Sequence, residues 1–173
     1  REARIRQAAA LSDSDLRSLF PDQIAWHNIC TWSRRENRVL TRTQERFGAL
    51  VLDDRTWPDA PPHAVATAML DGVRQLGLRF SPAAARYRAR VQLVRALDNS
   101  LPDLSEDALM ATLETWLLPH LDGVRSAGDW KGFDLLAALR AMLDWSQTQR
   151  LDSAAPSHFE TPLGRRVPID YDG

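Results

Sequence analysis

The sequence predicts an α+β protein, mainly α: a helical bundle-like core, preceded by a β-hairpin module and followed by a short terminal β-hairpin. Three observations carry this. Residues 24–52 are rich in Ile, Val, Thr, Trp and Phe and are interrupted by a polar break, the composition of paired strands. From Pro61 to Leu151 apolar residues recur at helical spacing behind prolines and capping residues. Beyond His158 the period returns to that of strands.

A chain of 173 residues can bury one sizeable core plus a satellite module, and that division is the expectation here. The apolar fraction of 44% and charged fraction of 26% are those of a folded domain, and no apolar run approaches bilayer length. One cysteine, Cys30, excludes an internal disulfide framework, and no signal peptide opens the chain, so a cytoplasmic setting is expected. Because it begins at Arg1 without methionine and stops at Gly173 just after a strand-like run, the chain reads as a stretch of something longer.

In chain order, Ala3–Ala8 suits a short strand. Ser12-Asp13-Ser14-Asp15 caps a brief helix carrying Leu16, Leu19 and Phe20, closed by Pro21. From Ile24 to Leu52 a hairpin is expected around Ser33-Arg34-Arg35-Glu36-Asn37. Its first strand puts Ile24, Trp26, Cys30 and Trp32 on one face; its second puts Val39, Thr41, Thr43 and Phe47 on one face and Arg38, Arg42 and Arg46 on the other. Gly48 marks a bulge or close approach before Ala49–Leu52. Asp53–Ala60 is a polar, proline-bearing connection, and the boundary between modules 1–57 and 58–173 falls there.

Pro61 and Pro62 open a helix with a Val65, Met69, Val73, Leu76 stripe that stops at Gly77. Ser81-Pro82 opens the next, with Tyr87, Val91, Val94 and Leu97 inward and Arg86, Arg88, Arg90 and Arg95 mostly in water. Leu104–Leu121 reads as one amphipathic helix around which the others pack. Ser105 caps it, Glu106 and Asp107 suit its positive end, and Leu109, Leu113, Trp116 and Leu117 share a face; Pro119 ends or kinks it. Trp130 and Phe133 lead into a fourth helix with Leu135, Leu136, Leu139, Met142 and Leu143, and Trp145–Leu151 adds a fifth. His158–Thr161 and Arg166–Tyr171 bracket a corner at Pro162-Leu163-Gly164-Arg165, a small hairpin.

Catalytic signatures are absent. The chain has no phosphate-cradling Gly-x-x-x-x-Gly-Lys-Ser/Thr, no Gly-x-Ser-x-Gly, no Cys-x-x-Cys and no His-Glu-x-x-His. His27, His63, His120 and His158 are scattered surface or capping residues, and Cys30, alternating with tryptophans, reads as a small buried thiol. Asp53 and Asp54 point to opposite sides of a strand and form no carboxylate pair. No catalytic residue and no metal ligand is assigned, and no cofactor is expected in the chain itself.

Charge is unevenly distributed. Residues 1–97 hold 16 arginines against 10 acids, whereas 98–173 hold 6 basic residues against 13 acids. Any polyanion therefore meets the first half. Arg34, Arg35, Arg38, Arg42 and Arg46 are the candidate nucleic-acid contacts, paired with phosphates while Trp26 or Trp32 is either a base-stacking surface or core. Hairpin register decides: pairing Trp32 with Arg38 puts tryptophans and arginines together, and a shift by one puts the tryptophans with Val39, Thr41 and Phe47. Burial favours the second register, with tryptophans inside and arginines outside.

Arg90-Val91-Gln92-Leu93, the stretch Leu104–Val124 with Thr115-Trp116-Leu117-Leu118-Pro119-His120-Leu121, and Ala155-Pro156-Ser157-His158-Phe159 through Arg166-Val167-Pro168-Ile169-Asp170-Tyr171 together resemble the C-terminal part of bacterial ATP-dependent helicases of the HrpB family, DEAH-box type. Arg46–Leu52 adds to the resemblance, which runs over nearly the whole chain and includes no catalytic motif. It implies a parent with two RecA-like motor domains that hold ATP and Mg, then a winged helix, a helical bundle and an oligonucleotide-binding-type β domain. Residues 1–57 would end that β domain, and 58–173 would begin the family's own C-terminal extension. The family often has Pro-Ser-Gly-Ser where this chain has Pro162-Leu163-Gly164-Arg165, so a role for those serine hydroxyls does not carry over.

The resemblance thus implies an accessory, noncatalytic region of an ATP-dependent RNA or DNA helicase. Its partners would be RNA or single-stranded DNA, held weakly through phosphates, and the parent's own motor and accessory domains, with no membrane. The alternative is a protein–protein docking module that never touches nucleic acid.

Overall fold

Ser12 is a complete helix start: its hydroxyl accepts from the Asp15 amide and the Asp15 carboxylate accepts from the Ser12 amide, a reciprocal cap that opens α1, Asp13–Leu19. The computed structural model describes residues 12–155, 158–160 and 166–169; the strand expected at Ala3–Ala8 and the corner Pro162–Arg165 lie outside them. Leu16 is the buried residue of α1, while Leu19 is 61% exposed.

β1 (Ile24–Ser33), β2 (Arg38–Phe47) and β3 (Leu50–Thr56) form an antiparallel sheet in that order. The hairpin is the expected one. Its tip is closed by the Asn37 amide on the Ser33 carbonyl at 2.8 Å, with Asn37 at φ 53°, a left-handed position that asparagine tolerates. Trp32 pairs with Val39, Cys30 with Thr41 and Ile24 with Phe47, so the register is the one that separates tryptophans from arginines. Two expectations fail. Asp53–Thr56 is not a loop but the second half of β3, because Glu45, Gln44, Thr43 and Arg42 supply it with a strand partner; Leu52 is the extra residue of a bulge between the Glu45–Asp53 and Arg46–Val51 pairs. Trp26 is not inside: it is 46% exposed, with the Arg55 guanidinium 5.2 Å from its ring centre.

α2 (Pro62–Leu76) begins with proline in its first turn and ends at Gly77, whose φ of 84° favours glycine. It lies on the sheet face that carries Trp32 and Val39, and buries Ala66, Ala68, Met69, Leu70, Gly72 and Val73. Its burial is broader than the expected stripe, since one side meets the sheet and another the helices. Gln75 ties this packing: it accepts from the Trp32 indole at 2.7 Å and donates to the Asn37 side chain at 3.1 Å. From the helical part, the Arg125 carbonyl accepts from the Val39 amide at 2.7 Å and the Ala127 amide donates to the Asn37 carbonyl at 2.9 Å, extending the edge of β2 where β3 does not reach.

α3 (Pro82–Arg95) starts at the Ser81 cap as expected and buries Tyr87, Val91 and Val94. Leu97, expected inward, is 92% exposed, because it lies beyond the helix end. Arg90, expected in water, is 5% exposed: its Nε donates to the Ala155 carbonyl at 2.8 Å and its Nη2 to Asp152 at 2.9 Å. That burial joins α3 to α8 (Trp145–Ala154), which begins with a second reciprocal cap between Asp144 and Gln147.

Leu104–Leu121 is not one helix. It divides into α4 (Glu106–Ala111), α5 (Leu113–Trp116) and a single 3₁₀ turn at Leu118–His120. The break comes at Thr112, ahead of Pro119, with φ −126° and ψ 30° outside the helical region. The Trp116 indole donates to the Leu109 carbonyl at 2.8 Å, the acceptor that an unbroken helix would offer to the Leu113 amide. The apolar face survives: Leu109, Leu113, Trp116 and Leu117 are all buried. Trp130 lies in a short helix of its own, α6 (Ala127–Lys131), and the expected fourth helix is reduced to α7 (Leu136–Arg140). One core runs from Val39 on the sheet through Met69 and Val73 to Leu113, Leu139 and Leu151. β4 (His158–Glu160) pairs antiparallel with β5 (Arg166–Pro168), the small terminal hairpin. No described helix is long and apolar enough to cross a membrane.

Candidate nucleic-acid interface

Strand alternation places Arg38, Leu40, Arg42, Gln44 and Arg46 on the face of β2 opposite α2. Across from them on β1 stand Ser33, Ile29 and Ala25, and on β3 Thr56, Asp54 and Val51. Successive arginines are about 13 Å apart along the strand. Asp54, opposite Gln44, is the one carboxylate that the three described strands bring to this face, so the face carries a net positive charge.

The candidate arginines are not equivalent. Arg34 and Arg35 are exposed in the hairpin tip, and Arg38 is exposed where β2 begins. Arg42 and Arg46 are half-buried. Arg46 is held along the strand by the Gln44 side-chain Oε1, which accepts from its Nε at 3.0 Å and its Nη2 at 2.6 Å, so its guanidinium is oriented before any ligand arrives. None of these arginines forms an ion pair with a carboxylate of the described residues. The structure thus brings Arg38, Arg42 and Arg46 onto one face and sets Arg34 and Arg35 at its end.

The opposite face is chemically different. Glu45 is buried there against Arg17 of α1 at 2.5 Å, and this pairing holds its carboxyl below the usual range. Phe20 and Phe47 pack with ring centres 5.4 Å apart. Trp26 and Arg55 sit on this side, so the exposed tryptophan does not join the arginine row. Cys30 is half-buried, and burial pushes its thiol up, away from a reactive thiolate. Among the described residues no three His, Cys, Asp or Glu side chains converge as a metal site.

A cationic cluster that sequence reasoning missed lies elsewhere. Arg86 and Arg90 of α3 and Arg140 of α7 line one recess with Tyr87. The signal was half visible as the Arg86, Arg90 spacing of one helical turn, but Arg140 comes from another helix, and Arg90 was assigned to water.

Comparison with known proteins points to one family. A family model described as ATP-dependent helicase C-terminal, HrpB_C, matches residues 116–173. The chain is 31% identical to the ATP-dependent RNA helicase HrpB of Escherichia coli (strain K12) over 98% of its own length, and it spans 22% of that relative. Two crystal structures of HrpB from E. coli, one titled a DExH-box NTPase and the other a DEAH/RHA helicase, superpose with a TM-score of 0.61 at 30% identity. They cover 93% and 86% of this chain, which corresponds to 20% of each. The sequence likeness, the match to the C-terminal family model and the shared fold agree: the chain belongs to the HrpB family of DEAH-box helicases and corresponds to a stretch of their C-terminal region.

Proposed function

We propose that this chain is an accessory, noncatalytic part of an ATP-driven helicase and that it steadies RNA or single-stranded DNA through phosphate contacts. The observation that carries this reading is the row Arg38, Arg42, Arg46 on the sheet face turned away from α2, with no described carboxylate paired to it. Guanidinium groups spaced along one strand neutralise phosphates without reading bases, so binding is weak, insensitive to sequence and strongly salt-dependent. ATP and Mg belong, in this reading, to motor domains elsewhere in the parent protein, where hydrolysis and translocation take place. Residues 1–57 act as the end of an oligonucleotide-binding-like module, and 58–173 as a helical accessory domain with its terminal hairpin. The extensive packing of α2 on the sheet supports their working as one piece. A salt titration of RNA and single-stranded DNA binding tests the proposal.

A second reading is docking on protein, either another domain of the parent or a separate partner. Leu93 at 51%, Leu97 at 92% and Trp145 at 78% exposure favour it, since they leave apolar surface on the helical part. Nucleic-acid binding that is absent at low salt would decide for docking.

A further inference from the structure

The recess between α3 and α7 has a volume of about 80 Å³ and is lined by Arg86, Tyr87, Arg90 and Arg140, together with Pro168 at the end of β5 and Ile169 just after it. Arg90 is anchored at its base: Nε and Nη2 are committed to Ala155 and Asp152, and Nη1 has no described partner. The Arg90 and Arg140 guanidinium carbons each lie 5.9 Å from the centre of the buried Tyr87 ring, and both side chains line this one recess. No described carboxylate pairs with Arg86 or Arg140. Asp152, whose side chain is 57% exposed, is the one acid among the described residues that pairs with the cluster, so three guanidiniums meet one described carboxylate beside a partly desolvated cavity. Such a cluster repels itself when empty and gains from an anion.

We propose that this recess binds a single phosphate group, supplied either as free phosphate or as the terminal phosphate of a nucleic-acid strand. The cavity is of the size of one oxyanion. A phosphomonoester carries a charge of about −1.5 to −2 at neutral pH, which suits such a cluster, and planar guanidiniums pair with its oxygens in the fork geometry that lysine lacks. The site is separate from the arginine row of β2 and does not depend on that row touching nucleic acid.

The test uses the 173-residue chain and inorganic phosphate. Melting temperature should rise with phosphate concentration, beyond the effect of chloride at matched ionic strength, and equilibrium dialysis should show saturable binding of one phosphate per chain. Arg86→Gln and Arg140→Gln, both on partly exposed side chains, should each weaken phosphate binding by about tenfold or more, as expected for a lost charged hydrogen bond. Arg42→Gln should leave it unchanged. A 5′-phosphorylated oligonucleotide that binds better than its 5′-hydroxyl counterpart, with the difference lost in Arg140→Gln, identifies a strand end as the source. Equal binding of the two oligonucleotides with phosphate binding retained identifies free phosphate. No phosphate effect beyond chloride, or an effect unchanged in both variants, overturns the site. Stabilisation by a glutamate-rich peptide but not by phosphate overturns it in favour of a protein carboxylate.

Discussion

The six-membered ring of Trp32 occupies the place where a side chain at position 72 would be: a Cβ on Gly72 would fall 2.6 to 2.8 Å from three of its carbons. Glycine in the middle of α2 costs about 1 kcal/mol of helix stability relative to alanine, and here the cost is offset by the close approach of helix and sheet. Gly72→Ala is therefore expected to destabilise the protein by about 1–3 kcal/mol despite its better helix propensity, as overpacking does. In a Trp32→Leu background the same change should become neutral or stabilising. Urea unfolding of the four proteins measures this, and additive effects would show that the ring and the helix do not compete for the space.

Arg90 ties two helices through a carbonyl more than through its ion pair. Asp152 is well exposed and regains water when its partner leaves, but the Ala155 carbonyl is buried and is left without a donor. Arg90→Met should cost about 1–3 kcal/mol, whereas Asp152→Asn should stay within about 1 kcal/mol. Equal losses for the two variants would locate the tie in the charge pair instead.

What was legible in the sequence is what local chemistry decides. Ser12, Ser81 and Ser105 cap the helices they precede, Gly77 ends α2, and burial alone selected the hairpin register that keeps Arg38, Arg42 and Arg46 away from Trp32. What was not legible needs a partner distant in sequence. β3 continues through Asp53–Thr56 only because β2 is there to pair with it. Arg90 is buried because Asp152 and Ala155 come from α8, and periodicity within α3 carries no trace of them. Trp26 was placed inside because alternation assigns a face but does not say which side chains on that face are covered. The three-arginine recess, assembled from α3 and α7, escaped for the same reason.

The break at Thr112 makes a prediction about Trp116. Its indole hydrogen bond gives the Leu109 carbonyl a second, shorter donor beside the Thr112 amide at 3.3 Å, and its ring is buried in the core. Trp116→Phe, which keeps most of the ring but loses the donor, should cost about 1–3 kcal/mol, and Trp116→Ala about 3–5 kcal/mol. A Phe variant as stable as the parent protein would mean that the Thr112 amide suffices for that carbonyl without the indole.

Three carboxylates make stability depend on acid. The Ser105 amide and hydroxyl and then Gln92 hold Asp103 below the usual range; the Ser100 hydroxyl and amide do the same for Asp98, and Arg17 for Glu45. In each case the unfolded chain binds the proton more readily than the folded one, so stability rises with pH across the window between the two values. It is complete above the ordinary carboxylate values of about 4 and is lost as pH falls through the lowered folded ones. The melting temperature should thus be level near neutrality with respect to these groups and fall below about pH 4. Asp103→Asn should lower stability at neutral pH and shallow the acid fall; a variant with the full fall retained would assign it to the other two carboxylates.

The arginine row gives the prediction on which the proposed function rests. Arg38, Arg42 and Arg46 share one sheet face, with Arg46 already oriented by Gln44, and Asp54 is the acid set among them. If each neutralises one phosphate of a single strand, the logarithm of the affinity should fall against the logarithm of salt with a slope of about −2, because each contact releases about 0.7 of a counterion. Replacing all three with Gln should flatten the slope to near zero and leave the fold intact, since none of them is paired with a described carboxylate. Trp26→Ala should change stability little, its ring being 46% exposed, and should leave the slope unchanged because it lies on the other face. Arg34→Gln with Arg35→Gln, at the hairpin tip, should reduce the slope only where the bound strand runs past that end. RNA binding undetectable at low salt, or binding whose slope survives the triple substitution, would remove the arginine row from the nucleic-acid path and leave the exposed Leu93, Leu97 and Trp145 as the working surface of the chain.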